Sequence, residues 1–263
     1  MGKPRVSVVE YLNTVPLIWG MLHGGQRGKF ELDFTTPAGC ADAVRSGAAD
    51  VGIVPSIEYP RLNRAEIVGG VSIASKGRVK SVLLFAQAPI EQVKTVALDH
   101  SSRTSVALLA ILLRKFYGRE VESFLFAPHP DAMLERADAA LVIGDPALTY
   151  RGRVAKVYDL AEEWKKFTGL PFVFALWVAN ADAKLGRYAK DFEGSRNFGL
   201  AHVDEIVEEY APKCGLTPEA VKVYLTRNID YTLDEENRRG LKLFYQLARE
   251  TGLIPAEKEL KFA

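Results

Sequence analysis

The run Phe172-Val-Phe-Ala-Leu-Trp-Val decides the fold of this chain, because it predicts a long strand late in the sequence. We expect this strand to return to the sheet that the N-terminal strands build. The chain then leaves the first lobe near residue 85 and rejoins it near residue 175, which makes two crossings. Two lobes joined in this way share a hinge and can close over a ligand between them.

Upstream of this run, strand patterns alternate with helix patterns. The predicted elements of the first lobe begin with a strand at Arg5 to Val9, a helix at Pro16 to Leu22, a strand at Phe30 to Thr35, a helix at Ala38 to Ser46 and a strand at Asp50 to Pro55. Alternating strands and helices indicate parallel βαβ units, with helices on both faces of a sheet. The chain is therefore predicted to be an α/β protein.

The second lobe is predicted to start after the strand Ser81 to Ala86 and to repeat this alternation. Its elements are strands at Lys94 to Leu98, Glu122 to Phe126 and Ala139 to Ile143, with a helix at Ser105 to Tyr117. Lobe one then comprises residues 1–85 and 176–263, and lobe two comprises residues 86–175. The segment from residue 181 onward is predicted to be largely helical.

Composition and charge exclude several classes of function. The chain has 34 basic and 33 acidic residues, and no segment has the Lys and Arg density that nucleic acid binding requires. Cys40 and Cys214 lack the spacing of a zinc or redox site, so no metal is predicted and both thiols are expected to be free. Without a signal-peptide pattern or an apolar run of about 20 residues, the chain is predicted to be cytoplasmic, with no membrane partner. No oligomeric state is indicated.

Four polar segments follow predicted strands, at residues 10–17, 55–59, 99–105 and 143–148. In open parallel sheets, ligands bind at the carboxyl ends of strands, where helix N-termini present free N–H groups. The segment 99–105, Asp-His-Ser-Ser-Arg-Thr-Ser, places several hydroxyls and a guanidinium at one helix start, which predicts a carboxylate site.

Helix capping is the alternative interpretation of each segment. Asn13 or Thr14 can cap the helix that contains Pro16, and Ser56 and Asp145 can cap the helices that follow them. A cap needs only one such residue, so the excess of hydroxyls in segment 99–105 favours the carboxylate site there.

Four motifs together resemble the chorismate dehydratases of the futalosine route to menaquinone. In chain order they are Tyr11-Leu-Asn-Thr-Val-Pro-Leu, Ser101-Ser-Arg-Thr-Ser, Ile143-Gly-Asp-Pro-Ala-Leu and Thr168-Gly-Leu-Pro-Phe-Val-Phe-Ala-Leu-Trp. The resemblance implies a periplasmic-binding-protein type II fold, with two mixed sheets flanked by helices and two hinge crossings. It also implies a cytoplasmic enzyme without a cofactor, which removes water from chorismate to give 3-[(1-carboxyvinyl)oxy]benzoate.

The resemblance and the chemistry of this reaction assign roles to residues. Asn13 and Ser81 are the predicted catalytic residues; they orient the enolpyruvyl carboxylate of the substrate, which takes the proton itself. Glu58, Asp145 or His100 is the alternative base, or the acid for the departing hydroxide. The predicted substrate-binding residues are Tyr11, Thr14, Ser56, Ser101, Ser102, Arg103, Thr104, Gly144 and Asp145.

Three alternatives share the predicted fold. The sister enzyme that makes 1,4-dihydroxy-6-naphthoate opens with a Ser-Pro-Cys-Pro-Asn-Asp type of segment, from which Tyr11 to Leu17 departs. A solute-binding protein for a small carboxylate would bind without turnover, and the missing export signal argues against a periplasmic receptor. A ligand-sensing regulatory domain is the third, but no helix-turn-helix region is apparent.

Overall fold

Two β-sheets organise the computed structural model, which describes residues 2–183 and 185–263. Met1 and Lys184, which fall within the predicted first lobe, lie outside the described residues. Strands and helices are numbered along the chain. The first sheet is formed by β1 (Arg5–Val9), β2 (Glu31–Thr35), β3 (Val51–Pro55), β4 (Ala65–Ser75), β10 (Phe172–Asn180) and β11 (Asp230–Leu233). The second is formed by β5 (Val82–Ala86), β6 (Thr95–Asp99), β7 (Glu122–Phe126), β8 (Ala139–Ile143) and β9 (Lys156–Asp159).

Strand β10 lies inside the first sheet, whose order is β11-β4-β10-β3-β1-β2. It pairs antiparallel with β3 and with β4, so that Leu176 lies opposite both Val54 and Ser72. Phe172 and Trp177 on this strand are fully buried. The strand predicted at residues 172–178 is confirmed, and it extends two residues further, to Asn180.

The second sheet has the order β7-β6-β8-β5-β9, and both sheets mix parallel with antiparallel pairs. In the first, β1 is parallel to β2 and β3, whereas β10 is antiparallel to its neighbours. In the second, β6 is parallel to β7 and β8, whereas β5 is antiparallel to its neighbours. The predicted α/β fold with two mixed sheets is therefore confirmed.

Helices flank both sheets. They are α1 (Val15–His23), α2 (Pro37–Ser46), α3 (Arg103–Ile111), α4 (Pro130–Leu134), α5 (Gly144–Thr149), α6 (Leu160–Thr168), α7 (Ala189–Ala201), α8 (Val203–Cys214), α9 (Pro218–Val223) and α10 (Glu235–Glu250). The helix predicted at Ser105 to Tyr117 begins two residues earlier and ends in a π-helical turn, Leu112–Phe116. Within residues 2–183 and 185–263, every helix is too short or too polar to traverse a lipid bilayer.

Three strands are absent from the prediction: β4, β9 and β11. In β4 the pair Gly69-Gly70 interrupts the apolar pattern, and Gly70 has a φ of 76°, which is unusual in a strand. The pairing of β4 with β10 shifts register along its length, which accommodates this irregularity. The other two have four residues each, so their patterns are too short to stand out from the neighbouring helices.

The chain crosses between the sheets twice, through residues 76–81 and through residues 169–171. Strand β5 lies in the second sheet over its whole length, and β10 lies in the first. The boundaries predicted at residues 85 and 175 therefore each cut a strand. We propose instead that the two crossing segments are the boundaries between the lobes. The apolar pattern of residues 82–86 identifies a strand, but it does not indicate the sheet that this strand joins.

The contact between α1 and α7 supplies a test of the packing. A Cβ atom added at Gly199 of α7 would lie 2.1 Å from the carbonyl oxygen of Pro16 in α1. The two helices must therefore separate in Gly199→Ala, and we expect the free energy of unfolding to fall by about 2 kcal/mol. This is the net change after the gain of about 1 kcal/mol from the higher helix propensity of Ala. Urea unfolding measures this change.

The matched control is Gly194→Ala in the same helix. A Cβ atom there meets the end of the Gln26 side chain at 2.7 Å, and that side chain can rotate away. We expect it to be neutral or stabilising. Equal effects of the two substitutions would contradict the close approach of α1 and α7.

Candidate active site

A cleft lies between the two sheets, where β1, β3 and β8 end and α3 begins. The predicted site residues on its walls are Tyr11, Asn13, Thr14, Ser81, Ser102, Arg103, Thr104 and Gly144. Ser56, Ser101 and Asp145 are not on these walls, although each contacts or adjoins a residue that is. The structure thus brings residues from both lobes to one place.

The loop that joins β1 to α1 reaches across the cleft. The hydroxyl of Tyr11 in this loop lies 3.3 Å from the hydroxyl of Ser101 in the other lobe. Thr14 is the N-cap residue of α1 but makes no side-chain capping hydrogen bond, and its hydroxyl lies 3.4 Å from the Asn13 side-chain oxygen. Helix capping therefore does not account for these two side chains, which both line the cleft.

The start of α3 presents two hydroxyls with a defined orientation. Ser102 caps α3 by accepting a hydrogen bond of 3.3 Å from the Ser105 amide. The Thr104 hydroxyl accepts one of 3.3 Å from the Ile57 amide. The Thr104 hydroxyl also lies 3.5 Å from Ser56 Oγ, which can accept its proton. Because the Ser102 oxygen accepts from a backbone N–H group, the Ser102 hydroxyl keeps its own proton for donation to a ligand. Capping and ligand binding are therefore compatible at Ser102.

Two predicted substrate-binding serines donate their hydroxyl protons to other groups of the protein. Ser101 donates to the Asp99 carboxylate at 2.6 Å, and Ser56 donates to the carbonyl oxygen of Val173 at 2.8 Å. Both are buried. These contacts support the walls of the cleft, so the geometry gives Ser56 and Ser101 a supporting position where the sequence predicts substrate contact.

Arg103 is part of an ion-pair network at the edge of the cleft. Its guanidinium lies 3.1 Å from the buried carboxylate of Glu58 and 3.3 Å from that of Asp42. Arg45 and Arg61 also bind Glu58, at 2.6 Å and 2.5 Å. Three guanidinium groups thus share two carboxylates, which leaves one positive charge in excess. The positive charge of Arg103 is therefore shared with these carboxylates and is not free.

Ser81 ends the first crossing segment, and two residues that sequence analysis does not single out hold it there. The buried Asp159 carboxylate accepts hydrogen bonds from the Val79 amide at 3.2 Å and the Lys80 amide at 2.7 Å. Lys80 has a φ of 62°, the left-handed conformation that a side chain rarely adopts. The Tyr224 hydroxyl donates to Ser81 Oγ at 2.8 Å. Neither partner belongs to a sequence motif, so only the fold reveals them.

Asp145 lies in the first turn of α5, next to the cleft-lining Gly144. It is not the N-cap, which is Ile143, so the predicted capping role is wrong. Burial raises the pKa of Asp145, and the Leu12 amide offsets this in part. Its Oδ1 is buried and has no hydrogen-bond partner in the described part of the chain. The Cys214 thiol lies 3.9 Å from Oδ2, and burial together with Asp145 raises the pKa of that thiol to about 11.

The remaining candidates for acid, base or metal chemistry lie away from the cleft walls. His100 is exposed, and Glu58 faces three guanidinium groups. Both cysteines are free. Across residues 2–183 and 185–263, no cluster of three or more His, Cys, Asp or Glu side chains could hold a metal ion.

The fold and cleft define a protein of the periplasmic-binding-protein structural class. Protein AF1704 of Archaeoglobus fulgidus superposes with a TM-score of 0.78 at 21% identity, covering 96% of this chain and 98% of that one. The periplasmic aliphatic sulphonate binding protein SsuA of Escherichia coli superposes with a TM-score of 0.70 at 16% identity, covering 99% and 96%. These likenesses show the fold.

The chain belongs to the menaquinone biosynthesis family, whose model matches residues 4–250. The chorismate dehydratase of Thermus thermophilus is 31% identical over 263 residues, with 93% of each chain covered. The family resemblance of the four sequence motifs is thereby confirmed.

Asp145 predicts a pH dependence of stability. Its pKa is raised in the folded state, so its protonated form stabilises the fold below about pH 4, and this contribution is lost as pH rises through the raised value. Asn cannot ionise. The free energy of unfolding of Asp145→Asn, relative to the parent protein, should therefore increase with pH across that window, as measured by urea unfolding at several pH values.

Asp138 provides a control of opposite sign. Amide groups of Lys94 and Thr95 lower its pKa, so its carboxylate stabilises the fold above about pH 4. The relative stability of Asp138→Asn should decrease as pH rises. If both variants gave the same slope, the assigned burial of Asp145 would be incorrect.

Proposed function

We propose that this protein is a chorismate dehydratase, which converts chorismate to 3-[(1-carboxyvinyl)oxy]benzoate and water. One observation carries the proposal: Asn13 and Ser81 line the same cleft as the donor-rich start of α3. Membership of the menaquinone biosynthesis family and the similarity to the Thermus thermophilus chorismate dehydratase support it. We place the reaction in the cytoplasm, as predicted from the sequence.

The enzyme must mainly position the substrate, because the free energy of the reaction is already favourable. Loss of the proton from C3 and of the hydroxyl from C4 forms a double bond that completes an aromatic ring, so the products are strongly favoured. The ring carboxylate is conjugated to C3 through the C1=C2 double bond, and it gains negative charge as the C3 proton leaves. Fixed hydrogen-bond donors at this carboxylate therefore stabilise the transition state more than the bound substrate.

The start of α3 is the proposed anchor for that carboxylate. The Ser102 hydroxyl is the donor, because its oxygen already accepts from a backbone amide, and the Thr104 hydroxyl lines the same wall. The positive end of the helix and the shared guanidinium of Arg103 add favourable charge. Tyr11, Thr14 and Gly144 contribute the remaining walls around the ring.

The proton at C3 is proposed to pass to the enolpyruvyl carboxylate of the substrate itself. Asn13 and Ser81 hold this carboxylate close to C3, and proximity supplies the rate. Of the alternative bases, Glu58 is bound by three guanidinium groups and His100 is exposed. Asp145, which adjoins the cleft-lining Gly144, is the proposed acid for the departing hydroxide, because burial raises its pKa and favours the protonated form. The enolpyruvyl carboxyl group then returns the C3 proton to Asp145, so that one water is released for each substrate.

Turnover separates this proposal from a binding protein of the same fold. Purified protein mixed with chorismate should convert it to a product that has lost one water per molecule of substrate. Mass spectrometry measures this loss of mass. We expect Asn13→Ala and Ser81→Ala each to lower kcat about 100-fold, since both orient the reacting carboxylate. Ser123→Ala, at an exposed position on β7, is the control and should leave kcat unchanged. Intact chorismate after incubation with folded protein, as judged by circular dichroism, would exclude the dehydratase.

Arg103 gives a second test. Arg103→Met should raise KM for chorismate about tenfold, because a favourable charge at the cleft wall is lost. Arg45→Met is a matched control: Arg45 binds the same two carboxylates but does not line the cleft. Initial rates at several chorismate concentrations give both constants. Equal rises in KM for the two variants would show that Arg103 acts only through the network and not on the substrate.

A further inference from the structure

The buried phenol of Tyr224 joins the C-terminal part of the chain to the active site. Tyr224 begins the π-helical turn Tyr224–Asn228, which directly follows α9, and it is 2% exposed. Its hydroxyl donates a hydrogen bond of 2.8 Å to Ser81 Oγ. At the other end of the same turn, the Asn228 side chain donates to the Arg78 carbonyl oxygen at 2.9 Å. The π-helical turn thus contacts the crossing segment at two points.

The direction of the Tyr224 hydrogen bond determines what Ser81 can do. Burial raises the pKa of Tyr224, so the phenol keeps its proton and acts as the donor. Ser81 has a single hydroxyl proton, and its oxygen is occupied as an acceptor by Tyr224. Within the described ranges, no side chain or carbonyl group accepts the Ser81 proton in a hydrogen bond. Because Ser81 lines the cleft, this proton is available to a ligand there.

Asn13 is also close to this phenol. Burial raises the pKa of Tyr224, and the nearby Asn13 side chain lowers it in part. Both predicted catalytic side chains therefore lie near the same phenol. By donating to Ser81 Oγ, the phenol polarises the Ser81 hydroxyl, which becomes a stronger donor.

We propose that Tyr224 is a positioning residue, which fixes the Ser81 hydroxyl as a hydrogen-bond donor to the substrate and aligns it with Asn13. This inference rests on the proposed dehydratase function. The enolpyruvyl carboxylate is the group that Ser81 contacts in that function. Without the phenol, Ser81 can rotate and use its proton elsewhere, and the carboxylate loses a donor on one side.

A double-mutant cycle tests this inference. We expect Tyr224→Phe alone to lower kcat about tenfold with less than about a twofold change in KM, because the oriented donor acts mainly in the transition state. In a Ser81→Ala background, the same substitution should lower kcat by less than about twofold, because the group that Tyr224 positions is already absent. A merely structural role of Tyr224 would give equal effects in both backgrounds, and that result would overturn the proposal.

Tyr231→Phe is the matched control. Tyr231 is also fully buried, but its hydroxyl has no hydrogen-bond partner in the part of the chain that the structure describes. Removing that hydroxyl should leave kcat unchanged. Melting temperatures of both variants show whether either loses the fold, and a tenfold loss of kcat in Tyr231→Phe as well would contradict a specific role for Tyr224.

The two proposals fail in different ways. If the parent protein turns chorismate over and the cycle shows no coupling, the role of Tyr224 is wrong and the dehydratase stands. If the parent protein leaves chorismate unchanged, the dehydratase fails, and the role of Tyr224 in that reaction fails with it.

Discussion

The cleft depends on the buried carboxylate of Asp159. This side chain accepts hydrogen bonds from the amides of Val79 and Lys80 in the first crossing segment, and from the amides of Ala161 and Glu162 at the start of α6. One carboxylate therefore ties the crossing to the second lobe and satisfies two amides that a helix start leaves without partners. Burial raises the pKa of Asp159, so these four donors offset a desolvation cost. The left-handed conformation of Lys80 persists because its amide is held in this way.

Charged side chains at the edge of the cleft also share their partners. The carboxylate of Glu58 is buried, and three guanidinium groups surround it. Arg103 thereby enters the cleft wall with its charge partly balanced and its position fixed. The proposed carboxylate ligand meets a guanidinium that is already oriented, so less conformational entropy is lost on binding. The network favours one anion at this edge of the cleft.

The sequence predicts the fold well where the pattern is local. Apolar runs ended by turn residues identify β1, β3, β7 and β8 to within a residue, and the strand at Phe172 places the chain back in the first sheet. Sheet membership is not local, however. Nothing in the apolar composition of residues 82–86 indicates that this strand pairs with β8 and β9 instead of the first sheet.

The candidate site shows the same limit. Motifs that follow strands, such as Asn13 and Ser102, are predictable because parallel strands end at one edge of a sheet. Tyr224 is not, because it lies in a helical pattern that looks like core, and only the packing of α9 places its hydroxyl against Ser81. The hydrogen bonds that Ser56 and Ser101 donate are also not predictable from the sequence, since tertiary structure places their acceptors.

The contact between Tyr224 and Ser81 joins residues 143 positions apart along the chain. Closing a long loop costs entropy before any contact repays it, so we expect this contact to form after both lobes and to depend on docking of the last helices. During refolding, recovery of catalysis should therefore lag behind recovery of the helical signal. The enzyme would acquire its chemistry as the final event of its own folding.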